Sequence, residues 1–170
     1  QRQMCIRDRG YSVSLSNDGS TVAIGAWAGD GGGKNSGTVK VYKNNSGSWE
    51  QIGSDIYGEI NGDNSGGSVS LSNDGTIVAI GARLNDGNGA DSGHVRIYKN
   101  NSGSWEQVGS DIDGDNPGDK FGQTVSLSGD GRYLAIGALY NNDNGTESGQ
   151  VRVFTTCLLY TSDAADDDHC

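Results

Sequence analysis

Ser12-Val13-Ser14-Leu15-Ser16-Asn17-Asp18-Gly19 returns as Ser68-Val69-Ser70-Leu71-Ser72-Asn73-Asp74-Gly75, and again as Thr124-Val125-Ser126-Leu127-Ser128-Gly129-Asp130-Gly131. Successive copies lie 56 residues apart both times. A constant period of this size marks one supersecondary unit repeated in tandem, so the architecture must be built by stacking that unit. The period extends outward from this stretch. Gly25-Ala26 recurs as Gly81-Ala82 and Gly137-Ala138, and Ser36 to Tyr42 recurs as Ser92 to Tyr98 and Ser148 to Phe154. Trp49-Glu50-Gln51 recurs as Trp105-Glu106-Gln107. The units are residues 10–65, 66–121 and a partial third, 122–156.

Within each unit apolar residues alternate with small or polar ones, the period of a strand. Val13 and Leu15 alternate with serine, Val22 and Ile24 with Thr21, Ala23 and Gly25, and Val39 and Val41 with Lys40; Trp49 opens a fourth run. The small residues opposite the apolar ones allow both faces of a sheet to be buried. Asn17-Asp18-Gly19 and Asn45-Ser46-Gly47 carry the turn chemistry of tight hairpins, with glycine free to take positive φ. Apolar residues at i, i+3, i+4 and i+7 with caps are missing, so almost no helix is expected. Four antiparallel strands in a unit near the usual blade size of about 40 to 50 residues describe a β-propeller blade. The expected class is therefore all-β, a partial β-propeller of about three four-stranded antiparallel blades. A β-helix would have shorter coils, and a sandwich would not repeat its loops. Residues 10–156 fall short of three periods, so an open run is expected, with further blades of the parent chain as neighbours.

The ends do not follow the period. Written as codons, Met4-Cys5-Ile6-Arg7-Asp8 has a reverse complement that reads Leu-Leu-Tyr-Thr in another frame, which is Leu158-Leu159-Tyr160-Thr161. Residues 1–9 and 157–170 thus resemble two strands of a translated sequencing adapter and are expected to be scars with no part in the fold. Cys5, Cys157 and Cys170 all lie in these ends, so the cysteine count carries no information about disulfides. The whole chain has a formal charge of −10. Residues 10–156 keep that sign, with 17 acidic against 9 basic side chains. Such a balance argues against nucleic acid and anionic membrane surfaces, which need clustered Lys and Arg. Membrane insertion is not expected either, because no apolar run approaches the ~20 residues of a span.

Asp119-Lys120-Phe121-Gly122 with Val125, then Ala135-Ile136-Gly137-Ala138, then Gly149-Gln150-Val151-Arg152-Val153-Phe154, resembles the FG-GAP repeat of integrin α-subunit propellers, in the variant found in tandem in extracellular microbial and algal proteins. The resemblance implies a seven-bladed parent propeller outside the cell, used for binding or cell adhesion. The departures are specific. Ser65 and Arg9 stand where Phe121 does, and the motif's proline is replaced by Trp27, Arg83 and Leu139. The hairpin that carries an aspartate-rich calcium loop in integrins is shortened here to Asn17-Asp18-Gly19, so that metal site is expected to be lost.

Other Ca2+ candidates lie in the longer loops between second and third strands. Asp86, Asn88 and Asp91, with Asn85, and Asp143 and Glu147, with Asn141 and Asn144, offer hard oxygen ligands at short spacing. Neither set has the spacing of a calcium-binding helix-loop-helix motif, and any turn would select the same residues. Trp49, Trp105, Tyr42, Tyr98 and Phe154 recur with the period, which favours packing between adjacent blades over a carbohydrate platform. Trp27 has Arg83 and Leu139 as counterparts, so it is the better candidate for ligand contact. Asn44, Asn100 and Asn144 each open an N-x-[ST] triplet and are candidate glycosylation sites. Asp63 and Asp119 are expected to brace the crossings between blades.

No catalytic residue is identified. His94 has Thr38 and Gln150 as counterparts and reads as a solvated strand residue. The expected function is a binding or adhesion module for a protein or carbohydrate ligand at the cell surface. The alternatives are blades of a glycan-cleaving propeller whose catalytic residues lie in other blades, or a purely structural repeat stalk.

Overall fold

The computed structural model describes residues 10–156, and the adapter-like ends lie outside the described residues. Three antiparallel sheets follow one another along the chain. The first contains β1 (Ser12–Leu15), β2 (Thr21–Ala26), β3 (Thr38–Asn45), β4 (Ser48–Gln51) and β5 (Ile56–Tyr57). The second contains β6 (Ser68–Leu71), β7 (Ile77–Ala82), β8 (His94–Asn101), β9 (Ser104–Gln107) and β10 (Ile112–Asp113). The third contains β11 (Phe121–Leu127), β12 (Tyr133–Ala138) and β13 (Gln150–Thr155). Among the described residues there is no α-helix.

The expected fourth strand is present but split. β4 and β5 both pair with β3, β4 through Tyr42 to Asn45 and β5 through Thr38 and Val39. Residues 52–55 arch out between them, and the Ile52 N–H still donates to the Val41 carbonyl at 2.8 Å. The second sheet repeats this, with Val108 N–H on Ile97 O at 2.8 Å. Each of these sheets is thus a four-row blade whose outermost row is interrupted.

The hairpin joining the first two rows has one design in all three units. Ser16 Oγ donates to Asp18 Oδ1 at 2.7 Å, the Ser20 N–H donates to the same carboxylate at 2.9 Å, and Gly19 takes φ 69°. Asp74 and Asp130 repeat the arrangement with Ser72 and Ser128. At Asp18 the Ser20 N–H, then the Ser16 hydroxyl, hold the carboxyl down at about 2.

Cores form between sheets, not within them. Ala23, Val39, Val41 and Ile56 on one face of the first blade pack against Val69, Leu71, Val78 and Ile80 of the second. The other face of the second blade presents Ala79, Val95, Ile97 and Ile112 to Phe121, Leu127, Leu134 and Ile136 of the third. The strand period sends alternate residues to opposite faces, so the middle blade contributes to both cores. Phe121, the aromatic whose counterpart in the preceding copy is Ser65, is fully buried and meets Phe154 edge to face at 6.3 Å.

Polar contacts between blades also repeat at the sequence period. Ser12 Oγ donates to Gly66 O and Ser68 Oγ to Gly122 O, both at 2.8 Å. Leu71 N–H donates to Ser14 Oγ at 3.0 Å, and Leu127 N–H to Ser70 Oγ at 2.9 Å. Asn17 N–H reaches Asn73 O, and Asn73 N–H reaches Gly129 O. The inner strands approach this closely because Gly25 and Gly81 lack side chains. A Cβ on Gly81 would run into the Gly122 carbonyl and the Ser68 hydroxyl. The linkers are braced as the sequence suggests: the buried Asp63 accepts the Glu59 and Ile60 N–H groups through Oδ2, and its carbonyl accepts the Leu84 N–H.

Gly81→Ala should therefore force two inner strands apart and destabilise the chain by about 1–3 kcal/mol, the usual cost of overpacking. Urea unfolding of both proteins, with the exposed Ser48→Ala as control, measures it; an unchanged midpoint for Gly81→Ala would contradict the packing described.

Candidate functional site

The positions that break the period gather along one edge of the blades. Tyr11 precedes β1 and Trp27 follows β2, and the register Ser12 to Gly25 places both at one edge of the first blade. Their rings meet edge to face at 6.1 Å, with Tyr11 exposed. The counterparts in the second blade are Gly67 and Arg83, and in the third Gln123 and Leu139. Arg83 Nη1 reaches across to Gln123 Oε1 at 3.4 Å, linking the edges of two blades. Beside them Lys120 Nζ sits 4.7 Å from the centre of the Tyr140 ring, and Leu139 is exposed. The inner-strand edges thus form one rim with an aromatic pair, a guanidinium–amide bridge and an apolar and cationic end. Of this group sequence reasoning singled out Trp27 alone. Tyr11, Gln123 and Lys120 carry the same signal, a position unlike its counterparts, but only strand pairing brings them to one edge.

The loops between second and third rows place the proposed metal ligands. Asp86 Oδ1 accepts the Asp91 N–H at 2.8 Å, and Asp91 has φ 55°. Asp30 caps Asn35 in the same way, and Asn142 caps Glu147. Asn88 Nδ2 donates to the Gly114 carbonyl at 2.9 Å. Asp143 Oδ2 accepts amide protons from Asn141 and Gln150, both at 3.2 Å. These groups hold left-handed turn residues and neighbouring loops in place, and Asp86 and Asp143 do not occupy equivalent positions. Of the glycosylation candidates, Asn44 and Asn100 accept the N–H groups of Gly47 and Gly103 in hairpin turns, and Asn144 is exposed.

A second cluster lies between the first two blades. His94 is 1% exposed, not solvated as its sequence context suggests, because the linker after β5 lays Glu59 over this face of β8. Arg96 Nε donates to His94 Nε2 at 3.3 Å, and Arg96 Nη2 stands 3.2 Å from Glu59 Oε2. On the other side of the ring, Nδ1 is 3.5 Å from Asp111 Oδ2 and 4.0 Å from Asp113 Oδ1. Glu59, His94 and Asp111 bring ligand atoms within 4.8 Å of one another, but the Arg96 guanidinium already supplies the cation among them. The cluster combines two ion pairs that each recur: Lys40 with Asp55 at 2.8 Å is the counterpart of Arg96 with Asp111, and Arg152 with Asp115 at 2.9 Å is the counterpart of Arg96 with Glu59. Burial first, and then the Arg96 charge, push the His94 pKa below its usual 6.5 against the pull of Asp111, Glu59 and Asp63. The folded state thus favours neutral imidazole, with Nδ1–H toward the aspartates.

The sign of the pH dependence follows. Below 6.5 the unfolded chain binds a proton that the folded chain resists, so the His94 contribution is complete above that pH and is lost as pH falls. Urea midpoints of wild type and His94→Gln, measured from pH 7.5 to pH 5, should diverge, with the wild type losing more on acidification. Parallel curves would place the titration elsewhere.

The family model described as "FG-GAP repeat" matches residues 60–98 and 109–154, half of the chain. No curated protein sequence matches it. Among solved structures, the periplasmic gluconolactonase of Pseudomonas aeruginosa superposes with a TM-score of 0.56 at 20% identity, over 86% of this chain and 39% of that one. A protein described as a 6-phosphogluconolactonase of Bacteroides uniformis gives 0.50 at 16% identity, over 84% and 39%. At these identities the likeness concerns the propeller fold alone, and the chain spans about two fifths of each of those structures.

Proposed function

The chain belongs to the FG-GAP repeat family, and from that premise we propose that it is a binding module of an extracellular, adhesion-type propeller, engaging a protein or carbohydrate ligand through the rim of unrepeated side chains. The observation that carries this reading is the contrast between rim and framework. Over 56-residue copies the inner strands keep Ser-Val-Ser-Leu nearly unchanged, whereas positions 27, 83 and 139 hold tryptophan, arginine and leucine. Packing constrains the strands, and nothing in the repeat itself requires three different chemistries at one position on the blade edge.

The chemistry available at the rim is that of recognition. An exposed tyrosine packed on a tryptophan offers flat apolar area with polar edges, the composition favoured where sugars or protein loops are held. Arg83 adds a forked donor of fixed geometry. Catalysis receives no comparable support. The histidine within the repeats is buried and engaged by Arg96, and the rim brings together neither a nucleophile with a base nor a pair of free carboxylates.

Probing immobilised glycans and extracellular-matrix proteins with the full chain tests the proposal. Retained binding should fall at least tenfold in Trp27→Ala and in Arg83→Ala, with far-UV circular dichroism unchanged. Binding untouched by both substitutions would place recognition away from the rim. Turnover of a glycan or lactone by the chain alone would favour an enzyme instead.

A further inference from the structure

At the junction between the second and third blades, Arg83, Lys120, Gln123 and Tyr140 stand where the preceding unit has Trp27, Asn64, Gly67 and Leu84. Two charges thus meet where the first junction has none. Gln123 ties them together, since its Oε1 accepts from Arg83 Nη1 at 3.4 Å and its N–H donates to the Lys120 carbonyl at 3.1 Å. Among the described residues neither cation has a carboxylate partner: the Arg83 side chain contacts this amide, and the Lys120 ammonium lies over the Tyr140 ring. On the third rows, by contrast, Lys40, Arg96 and Arg152 each face a carboxylate at 2.8 to 3.2 Å. Asp119, next to Lys120 in the chain, is buried and turned onto the Asn116 and Asn141 amides. With 17 acidic against 9 basic side chains in residues 10–156, two neighbouring cations left without a carboxylate run against the composition. We propose that this junction binds the carboxylate of a uronate residue in an acidic glycan, an assignment that rests on the rim as the recognition surface and names its ligand class.

The donor set selects the ligand. Arg83 keeps Nε and Nη2 free, Gln123 has its carbonyl engaged and its Nε2 hydrogens available, and Lys120 brings an ammonium, so these three side chains offer donors and no vacant acceptor. A guanidinium fork matches the two oxygens of a carboxylate, and the ammonium adds charge beside it. In a uronate the carboxylate stands next to the ring oxygen, so neighbouring acceptors meet neighbouring donors. In an acidic peptide the carboxylate is flanked by methylenes and amide N–H groups, which match this surface less well. The groups are also held before a ligand arrives, the guanidinium by the Gln123 amide and the ammonium by the Tyr140 face at 4.7 Å, which lowers the cost of ordering them on binding. Asn64, at φ 57°, folds its amide onto the Asn35 carbonyl; Lys120, at φ 53°, keeps the matching backbone bond, to Asp91 O at 3.1 Å, and carries its side chain over Tyr140 instead. A single carboxylate needs only these two cations, unlike nucleic acid, whose closely spaced phosphates need many.

Isothermal titration calorimetry of the full chain with a galacturonate trisaccharide, and with the same trisaccharide as its methyl ester, tests the assignment. The acid should give a saturable heat that weakens as NaCl is raised. The ester, which keeps the sugar rings and loses the charge, should bind about tenfold more weakly or not at all. Arg83→Leu and Lys120→Asn each bring in a residue that another unit carries at the same place, so both variants should fold, as circular dichroism verifies, and each should weaken binding of the acid about tenfold. Arg83→Lys, which keeps the charge and loses the fork, should not restore it. No saturable heat with the acid, equal binding of the ester, or binding unchanged in both variants would overturn the proposal. So would tighter binding of a peptide of three aspartates, which would give the site to an acidic protein segment. If a neutral glycan or matrix protein is bound and is lost in Trp27→Ala while the uronate is not bound, the rim remains the recognition surface and the uronate assignment alone fails. Binding of the acid that ignores Trp27 as well as Arg83 and Lys120 removes both.

Discussion

Each blade is stabilised by the blade beside it. A single sheet here has no interior, because its strands send apolar residues alternately to both faces and the hydrophobic clusters occupy the gaps between sheets. Burying each of Val69, Leu71, Val78 and Ile80 contributes on the order of 1.5–3 kcal/mol, but only while the first blade is in place. The glycine pair on each inner row, typified by Gly25 and Gly81, sets the distance at which this happens. With a side chain there, the hydroxyl-to-carbonyl links from Ser12 and Ser68 could not form.

From that dependence follows the division of labour along the repeat. Residues facing a neighbouring blade are held by packing, and those in hairpins are held by local hydrogen bonds such as the serine–aspartate clamp at Asp18, Asp74 and Asp130. The positions left over lie on the rim and on the loops between second and third rows. In those loops the acidic and amide groups act mainly as caps, since a left-handed residue such as Asp91 or Glu147 needs its N–H satisfied. The rim has no such obligation, and there the copies diverge. A likeness to lactonases at 20% identity says how the strands are stacked and leaves this surface to be judged on its own side chains.

The interface between the first and second blades shows how a repeat can acquire an individual feature. The basic residue on the third row and the aspartate of the outer row recur as Lys40 with Asp55 and Arg96 with Asp111. In the second unit histidine stands where the first has threonine, and it joins Arg96, Asp111 and the linker's Glu59 in one buried cluster. The result couples a blade interface to proton binding without any change in the strands.

The period, the strand alternation and the turn residues were legible in the chain, and they were enough for the class, the blade and its hairpins, because each is a local consequence of spacing. The split of the outer row was not legible, since residues 52–55 look like a turn until β3 is seen pairing on both sides of them. Nor was the burial of His94, which depends on a linker 35 residues earlier in the chain crossing its face. Trp27 could be singled out as unlike its counterparts, yet its grouping with Tyr11, and that of Arg83 with Gln123, awaited the register of the sheets. Contacts within one unit are written in short-range pattern; contacts between units depend on the angle and distance at which whole sheets stack, and no short stretch of residues encodes those.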